Sequence, residues 1–391
     1  MEVKFVKVLI VINELNIRGG THKQVLRLCE YLSKDNEVTI YTRMYDNEKT
    51  YPGFKKFNIV TPNIDLSSKK TLLQKIKKHL NIYKEENRIF KELVKDVDVV
   101  NIHDYKGTHL AKIAKKYNKK VVLQLNDIPY FFLEGAAKGT KDNYKFKLRR
   151  FNYLKLIKYV DEITVNVTKN KELVKKCLNR NAKVFYCGVD TNENLEKHKQ
   201  LHARNKLNLF SSGVFFPYRN YETLVKVVDK IVKNGIDVHL DIMGSTEIDK
   251  IYANSIKKMI NDMKLDEYIT IWGQVDEEKY IELHNNADMF LFININQSWG
   301  LAVFEAMSCG LPVIVSNSVG AIELLTDKEN AVIVDPENVD EVYNEIIKLK
   351  DNKEYYEKIS NNADKIVKEF TWDNLYSSKM LELFKKISEE K

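Results

Sequence analysis

Apolar segments of strand length alternate with helical ones along almost the whole chain, and they do so in two series. The first series runs from VKVLIVINEL through the helix THKQVLRLCEYLSK, whose Val25, Leu26, Leu28 and Leu32 recur at helical spacing, to the alternating strand NEVTIYTR. It continues as a lysine-rich helix (SKKTLLQKIKKHLNIYKEENRIFKELVK), VDVVNIH, GTHLAKIAKKYN, KKVVLQLND, EITVNV, KELVKKCLN and AKVFYCGVD. Strands separated by helices form parallel, doubly wound sheets with right-handed crossovers. The polar run TNENLEKHKQLHARNK, Thr191 to Lys206, has no apolar period and reads as a linker. Beyond it the alternation restarts with LNLFSSGVFF, YETLVKVVDKIVKNG, DVHLDIMGS, YANSIKKMINDMKL, YITIWGQV, EKYIELHNNA and DMFLFIN.

The expected architecture is α/β, with two Rossmann-like doubly wound domains facing a cleft. Their spans are residues 1–190 and 207–369 around the linker 191–206, and a C-terminal helix over 370–391 is expected to return toward the first domain. A chain of 391 residues is too long for one comfortable core, which agrees with this division. Ligands of such sheets bind beyond the carboxyl ends of the strands. Hydrophobic residues make up 44% and charged residues 30%, and no apolar run reaches the length of a membrane span. The N-terminus enters an apolar run without a small-residue cleavage site, so it reads as a first strand and not as a signal peptide. Cys29, Cys177, Cys187 and Cys309 lack metal-ligand spacing and read as reduced, buried thiols. The net charge of +8 permits anionic partners, but no nucleic-acid reading motif accompanies the lysines.

The most informative stretch is NINQSWGLAVFEAMSCGLPVIVSNSVGAIELL, Asn294 to Leu325. Gly300 opens a helix, so the amides of Leu301, Ala302 and Val303 are expected to be unsatisfied first-turn donors. With the helix dipole they would hold a phosphate without a basic side chain. Glu305, one turn in, would accept from vicinal hydroxyls such as those of a ribose, at about 1.5–3 kcal/mol per charge-assisted bond. Taken alone it is equally a helix-favouring acid. Gly19 and Gly20 follow the first strand, where the backbone can approach a ligand closely, but NELNIRGGTH lacks the spacing of a dinucleotide fingerprint. His103 and Asp104 close the strand VVNIHD, either facing the cleft or as a solvated strand end. Asp96 and Asp98 lie at a strand entry and are not read as metal ligands.

QSWGLAVFEAMSCGLPVIVS resembles the signature of the retaining glycosyltransferases of family four, which have the GT-B fold. Gly310, Pro312, Val313 and Glu305 match that signature. NIRGG resembles the family's N-terminal glycine loop, SSGVFFPYRN the opening of its second domain, SVGAIELL its Gly-x-x-Glu turn and EFTWDNL its closing Phe-x-Trp. The resemblance implies transfer of a hexose or related sugar from a nucleotide diphosphate donor, with a slight preference for a uridine nucleotide. It also implies retained anomeric configuration, no metal and no other cofactor. On the donor side it points to Gly20, Gly213, Gly273, Val275, Gly300, Leu301, Ala302, Val303 and Glu305. The catalytic candidates are Arg219, Gln297, Glu305, Asn126 and Asp127, with His103 and Asp104 on the acceptor side.

Three positions depart from the family pattern. Gln297 stands where the family has the first Glu of a paired motif, which keeps an acceptor and removes a charge. Val214 stands where an Arg is usual, leaving Arg219, on the usual Lys position, to bind phosphate with its bidentate fork or to sit as a solvated loop charge. Asn126 replaces a His common among relatives. A distinct active branch is the primary reading; a sugar-nucleotide-binding subunit that scaffolds a partner glycosyltransferase is the alternative. Trp299 is expected to pack its loop or to stack on a sugar. The basic and aromatic helix within Lys138 to Val160 suggests a glycan or lipid-linked acceptor met at an anionic membrane surface, with the protein cytoplasmic or peripheral on the inner face of the membrane.

Overall fold

The computed structural model describes residues 5–62, 72–133, 140–190, 195, 206–297 and 299–390, with backbone alone over 72–80 and 140–141. The linker assigned to Thr191–Lys206 lies outside the described residues apart from Leu195 and Lys206. The chain divides into two compact units, Met1–Gly188 together with Trp372–Lys391, and Val189–Thr371.

The first unit holds β1 (Lys7–Ile12), α1 (Gly20–Leu32), β2 (Glu37–Thr42), β3 (Asn58–Val60), α2 (Leu72–Leu93), β4 (Val99–His103), α3 (Ala111–Lys116), β5 (Lys120–Leu125), α4 (Thr140–Ile157), β6 (Glu162–Val165), α5 (Thr168–Leu178) and β7 (Lys183–Val184). Its seven parallel strands lie in the order β3-β2-β1-β4-β5-β6-β7. The order reverses between β1 and β4, which is where a doubly wound sheet opens its ligand crevice. β4 is buried along its whole length, so Asn101 and His103 are core residues despite their polarity. Parallel strands covered on both faces require this burial. The pair satisfies itself in part, through a 2.8 Å bond between His103 Nε2 and Asn101 Oδ1. The strand-entry reading of Asp98 holds: its carboxylate accepts from the Lys7 amide at 2.9 Å and ties β1 to the approach to β4.

The second unit holds β8 (Leu207–Ser212), α6 (Tyr221–Lys233), β9 (Val238–Met243), α7 (Lys250–Asp262), β10 (Ile269–Gly273), α8 (Glu277–Asn286), β11 (Met289–Phe292), α9 (Leu301–Ser308), β12 (Val313–Ser316), β13 (Val332–Val334), α10 (Val339–Asp351) and α11 (Lys353–Val367). Its six strands are parallel in the order β10-β9-β8-β11-β12-β13, and the order reverses between β8 and β11. The last helix, α12 (Ser378–Glu389), buries Met380, Leu383, Phe384 and Ile387 and belongs to the first unit, where it packs on α1.

Cys29, Cys187 and Cys309 are buried and Cys177 is half-buried, and none of the four is in a disulfide. Among the described residues no helix is long and apolar enough to cross a membrane.

Candidate functional site

In the second unit the loops after β8, β9 and β10 are laced together by main chain. Gly213 N–H donates to the Met243 carbonyl at 2.8 Å, and Gly244 N–H donates to the Gly273 carbonyl at 2.8 Å. Two of these glycines are dictated by geometry. Gly244 has φ +146°, and a Cβ there would lie 1.9 Å from the Gly213 carbonyl oxygen. Gly213 has φ +154°, and a Cβ there would fall 2.5 Å from Cζ of Arg219, whose guanidinium lies flat over that bare backbone. The sequence reading picked out Gly213 and Gly273 and missed Gly244, although MGS at the end of a strand was its signal.

Arg219 ends a short 3₁₀ turn, Pro217–Arg219, stopped by Asn220 in the left-handed region at φ 53°. It is half-buried, not a solvated loop charge. Its guanidinium sits over the rings of Tyr218, at 5.2 Å, and Phe292, at 5.7 Å. Nη1 donates to Gln297 Oε1 at 3.1 Å, and the Asn294 amide, turned to suit its neighbours, accepts from Nη1 at 2.8 Å and donates to the Arg219 carbonyl at 3.3 Å. Nε is buried with no hydrogen-bond partner. Arg219 is thus a half-buried cation on a glycine floor, with one donor that the protein leaves unspent.

The loop after β11 carries Gln297 and is pinned from two sides. The Ile295 amide donates to the Tyr218 carbonyl at 2.7 Å, and the Gln297 carbonyl accepts from the Gly320 amide at 3.1 Å. Elements following β8, β11 and β12 thus meet at the carboxyl end of the sheet, at its switch point. Trp299 in this loop is buried and packs on Phe304 at 5.3 Å, which favours the packing role over sugar stacking.

The α9 mouth differs in one respect from expectation. Val303 is not an open donor: its amide closes a tight first turn on the Gly300 carbonyl at 3.1 Å. Gly300, with ψ 66°, directs its carbonyl into that turn. That leaves Leu301 and Ala302 as the first-turn amides that precede this bond. Neither a side-chain cap nor a first-turn acid occupies the end. In contrast, α7, α8, α10 and α11 each start on an Asp or Asn whose side chain accepts from the third helical amide. Glu305 is half-buried, and its Oε2 accepts from Tyr280 Oη at 3.4 Å. Burial and the Glu305 charge push the Tyr280 hydroxyl far above its ordinary value, so it stays a donor to that carboxylate. Gly273 has φ 69° and open space on its Cα, and Val275 is half-buried two residues on.

The remaining candidates belong to the first unit. α1 also starts on a glycine without a side-chain cap, at Gly19, and Gly20 is its first residue. Asn126, just after β5, braces that helix end: its Nδ2 donates to Thr21 Oγ1 at 3.1 Å and to Gln24 Oε1 at 2.8 Å, while its oxygen accepts from Gln124 at 2.9 Å. Asn126 is therefore a positioning residue for the α1 start, its amide being spent on protein partners. Asp127 is exposed. His103 is 0% exposed, which rules out the solvated strand end. Burial, with a smaller contribution from the neighbouring His22 ring, lowers its pKa to about 3. Its Nδ1 has no hydrogen-bond partner. His22, which the sequence reading passed over, donates from Nε2 to the Glu14 carbonyl at 2.9 Å, and its buried Nδ1 is likewise unpaired. Burial lowers its pKa too. Asp104 sits at φ 75°, and burial raises its pKa against the opposing bond from the Tyr105 amide.

Two family models match in tandem, Glycosyltransferase Family 4 over residues 18–193 and Glycosyl transferases group 1 over residues 192–366. A probable sucrose-phosphate synthase of Thermosipho melanesiensis is 25% identical over 272 residues, which is 64% of this chain and 63% of that protein. An uncharacterized glycosyltransferase of Methanocaldococcus jannaschii is 23% identical over 363 residues, 91% of each chain. Among solved structures, the sucrose-phosphate synthase of Thermosynechococcus elongatus superposes with a TM-score of 0.77 at 15% identity, covering 98% of this chain and 99% of that one. HepE of Anabaena, crystallised with UDP and glucose, gives 0.74 at 15% identity over 97% of this chain and 99% of that one. Together the family models span the chain from the α1 glycines to the end of α11, and the fold likeness agrees with them: this protein belongs to the family 4, group 1 glycosyltransferases of GT-B fold.

Proposed function

We propose that the protein transfers a sugar from a nucleotide diphosphate donor, a uridine nucleotide in preference, to an acceptor hydroxyl with retention at the anomeric carbon. The acceptor is a glycan or a lipid-linked sugar, met at the inner face of a membrane in glycan or surface-polysaccharide synthesis. The observation that supports this most is Arg219 on the Gly213 backbone, with a free donor and the uncapped α9 mouth in the same unit. The bond that breaks leaves negative charge on the diphosphate. Arg219 and the Leu301 and Ala302 amides are fixed before that charge appears, which is how electrostatic preorganisation lowers a barrier. On this reading they take the part that a divalent metal plays in other glycosyltransferases, and chelation should leave turnover unchanged. Glu305, held by Tyr280, takes the ribose hydroxyls. Crystals of HepE with UDP-glucose show a relative in fold that holds such a donor.

Gln297 and Val214 keep a second reading in play, a subunit that binds the sugar nucleotide and scaffolds a partner, because Arg219 then carries the diphosphate without a second arginine. A thermal-shift panel of nucleotide diphosphate sugars, followed by product analysis, separates the two. A donor at a hundred times its dissociation constant adds about 2.7 kcal/mol of apparent stability. Product of retained configuration, abolished by Glu305→Ala, supports transfer. Stabilisation without product under any donor and acceptor supports the scaffold, and stabilisation by none of the panel removes both.

A further inference from the structure

We propose that the outer face of α4 is a docking surface for an anionic lipid bilayer. The helix is apolar on two sides. Its inner side buries Phe146, Tyr153 and Ile157, and there Arg150 donates to the Phe131 carbonyl while Arg149 donates to Tyr130 Oη. These two arginines are occupied by the protein, so the surface charge must come from elsewhere. On the opposite side Tyr144 is 74% exposed, Phe151 56%, Leu148 51% and Leu154 41%. Tyr144, Leu148 and Phe151 follow one another at helical spacing, so they form a continuous stripe along about 10 Å of the helix axis.

Lys145, Lys147, Lys155 and Lys158 are exposed around that stripe, and Lys155 Nζ lies 4.0 Å from the centroid of the Phe151 ring. Asp142 is the single acid in the helix sequence. Large apolar side chains left in water on a helix are ordinarily covered by something. Here the cover must meet tyrosine, phenylalanine and leucine at the centre and lysine at the edges, with no acid of the helix there to balance the lysines. An interface of anionic headgroups over acyl chains meets both, with the aromatic rings at headgroup depth and the lysine stems reaching outward. This placement deepens the membrane part of the proposed function and uses nothing of the donor site.

The test is flotation of the full chain with neutral phosphatidylcholine vesicles and with vesicles containing about one-third phosphatidylglycerol, at low salt and at about 0.5 M salt. Binding is expected to the anionic vesicles alone, and weaker in high salt. Lys147→Gln, Lys155→Gln and Lys158→Gln together should lower the partition coefficient on the order of a hundredfold. Leu148→Ser with Phe151→Ser should lower it similarly while leaving the salt dependence as steep. Phe151→Trp fluorescence should shift blue and be quenched by brominated lipid. Absence of binding, equal binding to neutral vesicles, or binding that both sets of substitutions leave unchanged overturns the proposal. So does a concentration-dependent dimer that Phe151→Ser abolishes, since the face would then be covered by a second copy. The variants should keep UDP binding, so a failed vesicle assay is distinct from a failed donor assignment.

Discussion

Lowering the pH should destabilise the first unit through His103 before its carboxylates are protonated. His103 is completely buried and its pKa is about 3, against 6.5 for an unperturbed side chain. The unfolded chain therefore takes up a proton near pH 6.5 that the folded chain refuses, so stability is full above 6.5 and is lost as pH falls toward 3. Between those limits the loss is one proton's worth, about 1.36 kcal/mol per pH unit. From about pH 7 to about pH 5 it amounts to roughly 2 kcal/mol, a large part of the margin of an ordinary domain. Glu86 acts lower on the scale. Burial would raise its carboxyl, but His109 at 3.0 Å and Arg43 at 2.8 and 2.6 Å bring it down to about 2, so its contribution is lost only below the ordinary 4.5. Urea unfolding at the two pH values, in the parent and in His103→Gln, isolates the histidine. Gln keeps an amide donor for Asn101 and removes the titration, so its stability should fall by about 2 kcal/mol less than the parent's over the same interval. The smaller slope left in the variant belongs largely to His22, lowered by the same burial. Parallel pH dependences for parent and variant, or an imidazole nitrogen resonance of His103 titrating near 6.5 in the folded protein, would refute the argument.

Arg219→Ala should reduce kcat/KM by an amount equivalent to about 2–4 kcal/mol, as for one preorganised donor to a developing oxyanion; unchanged turnover would return Arg219 to a structural role. Gln297→Glu should lower UDP affinity, because a carboxylate 3.1 Å from Nη1 would bind the guanidinium as an ion pair and compete with phosphate. Isothermal titration with UDP checks this, and tighter binding counts against it. Gly244→Ala should cost more than the few tenths of a kcal/mol of an exposed glycine change, on the order of 3 kcal/mol, since φ +146° and the Gly213 carbonyl both exclude a Cβ. A thermal melt of the second unit measures it, and an unchanged midpoint would mean the loops after β8 and β9 can part freely.

What could be read in the sequence follows from the range of the interaction concerned. The alternation of strands and helices is local, so VKVLIVI, VVLQL and MFLF appear as β1, β5 and β11 with only their ends trimmed. β3, with three residues, and β7, with two, carry too little pattern to stand out. The glycines of the second unit were partly visible because a strand end followed by glycine marks a close backbone approach, yet the reason for Gly213 lies six residues away in Arg219. The bond from Arg219 to Gln297 crosses 78 residues and has no sequence signature. Val303 was misjudged since a helical pattern does not show that its first turn closes tightly on Gly300. NIH before DY suggested a chain leaving the sheet, whereas β4 lies between β1 and β5 and buries that histidine in full.

The assignment of Trp372–Lys391 to the first unit has a consequence for synthesis. The second unit, Val189–Thr371, is a single uninterrupted stretch and can complete its core as soon as its last residue clears the ribosome. The first unit cannot. Trp372 and Tyr376 fill its interior, Tyr376 Oη reaches Gln124 Oε1 at 3.4 Å, and Lys34 waits for Asp373 at 3.4 Å. While nearly two hundred further residues are being added, the seat for the returning segment on α1 stays open, with Cys29 of α1 awaiting Tyr376 beside it. The half of the protein that is made first is the half that is finished last.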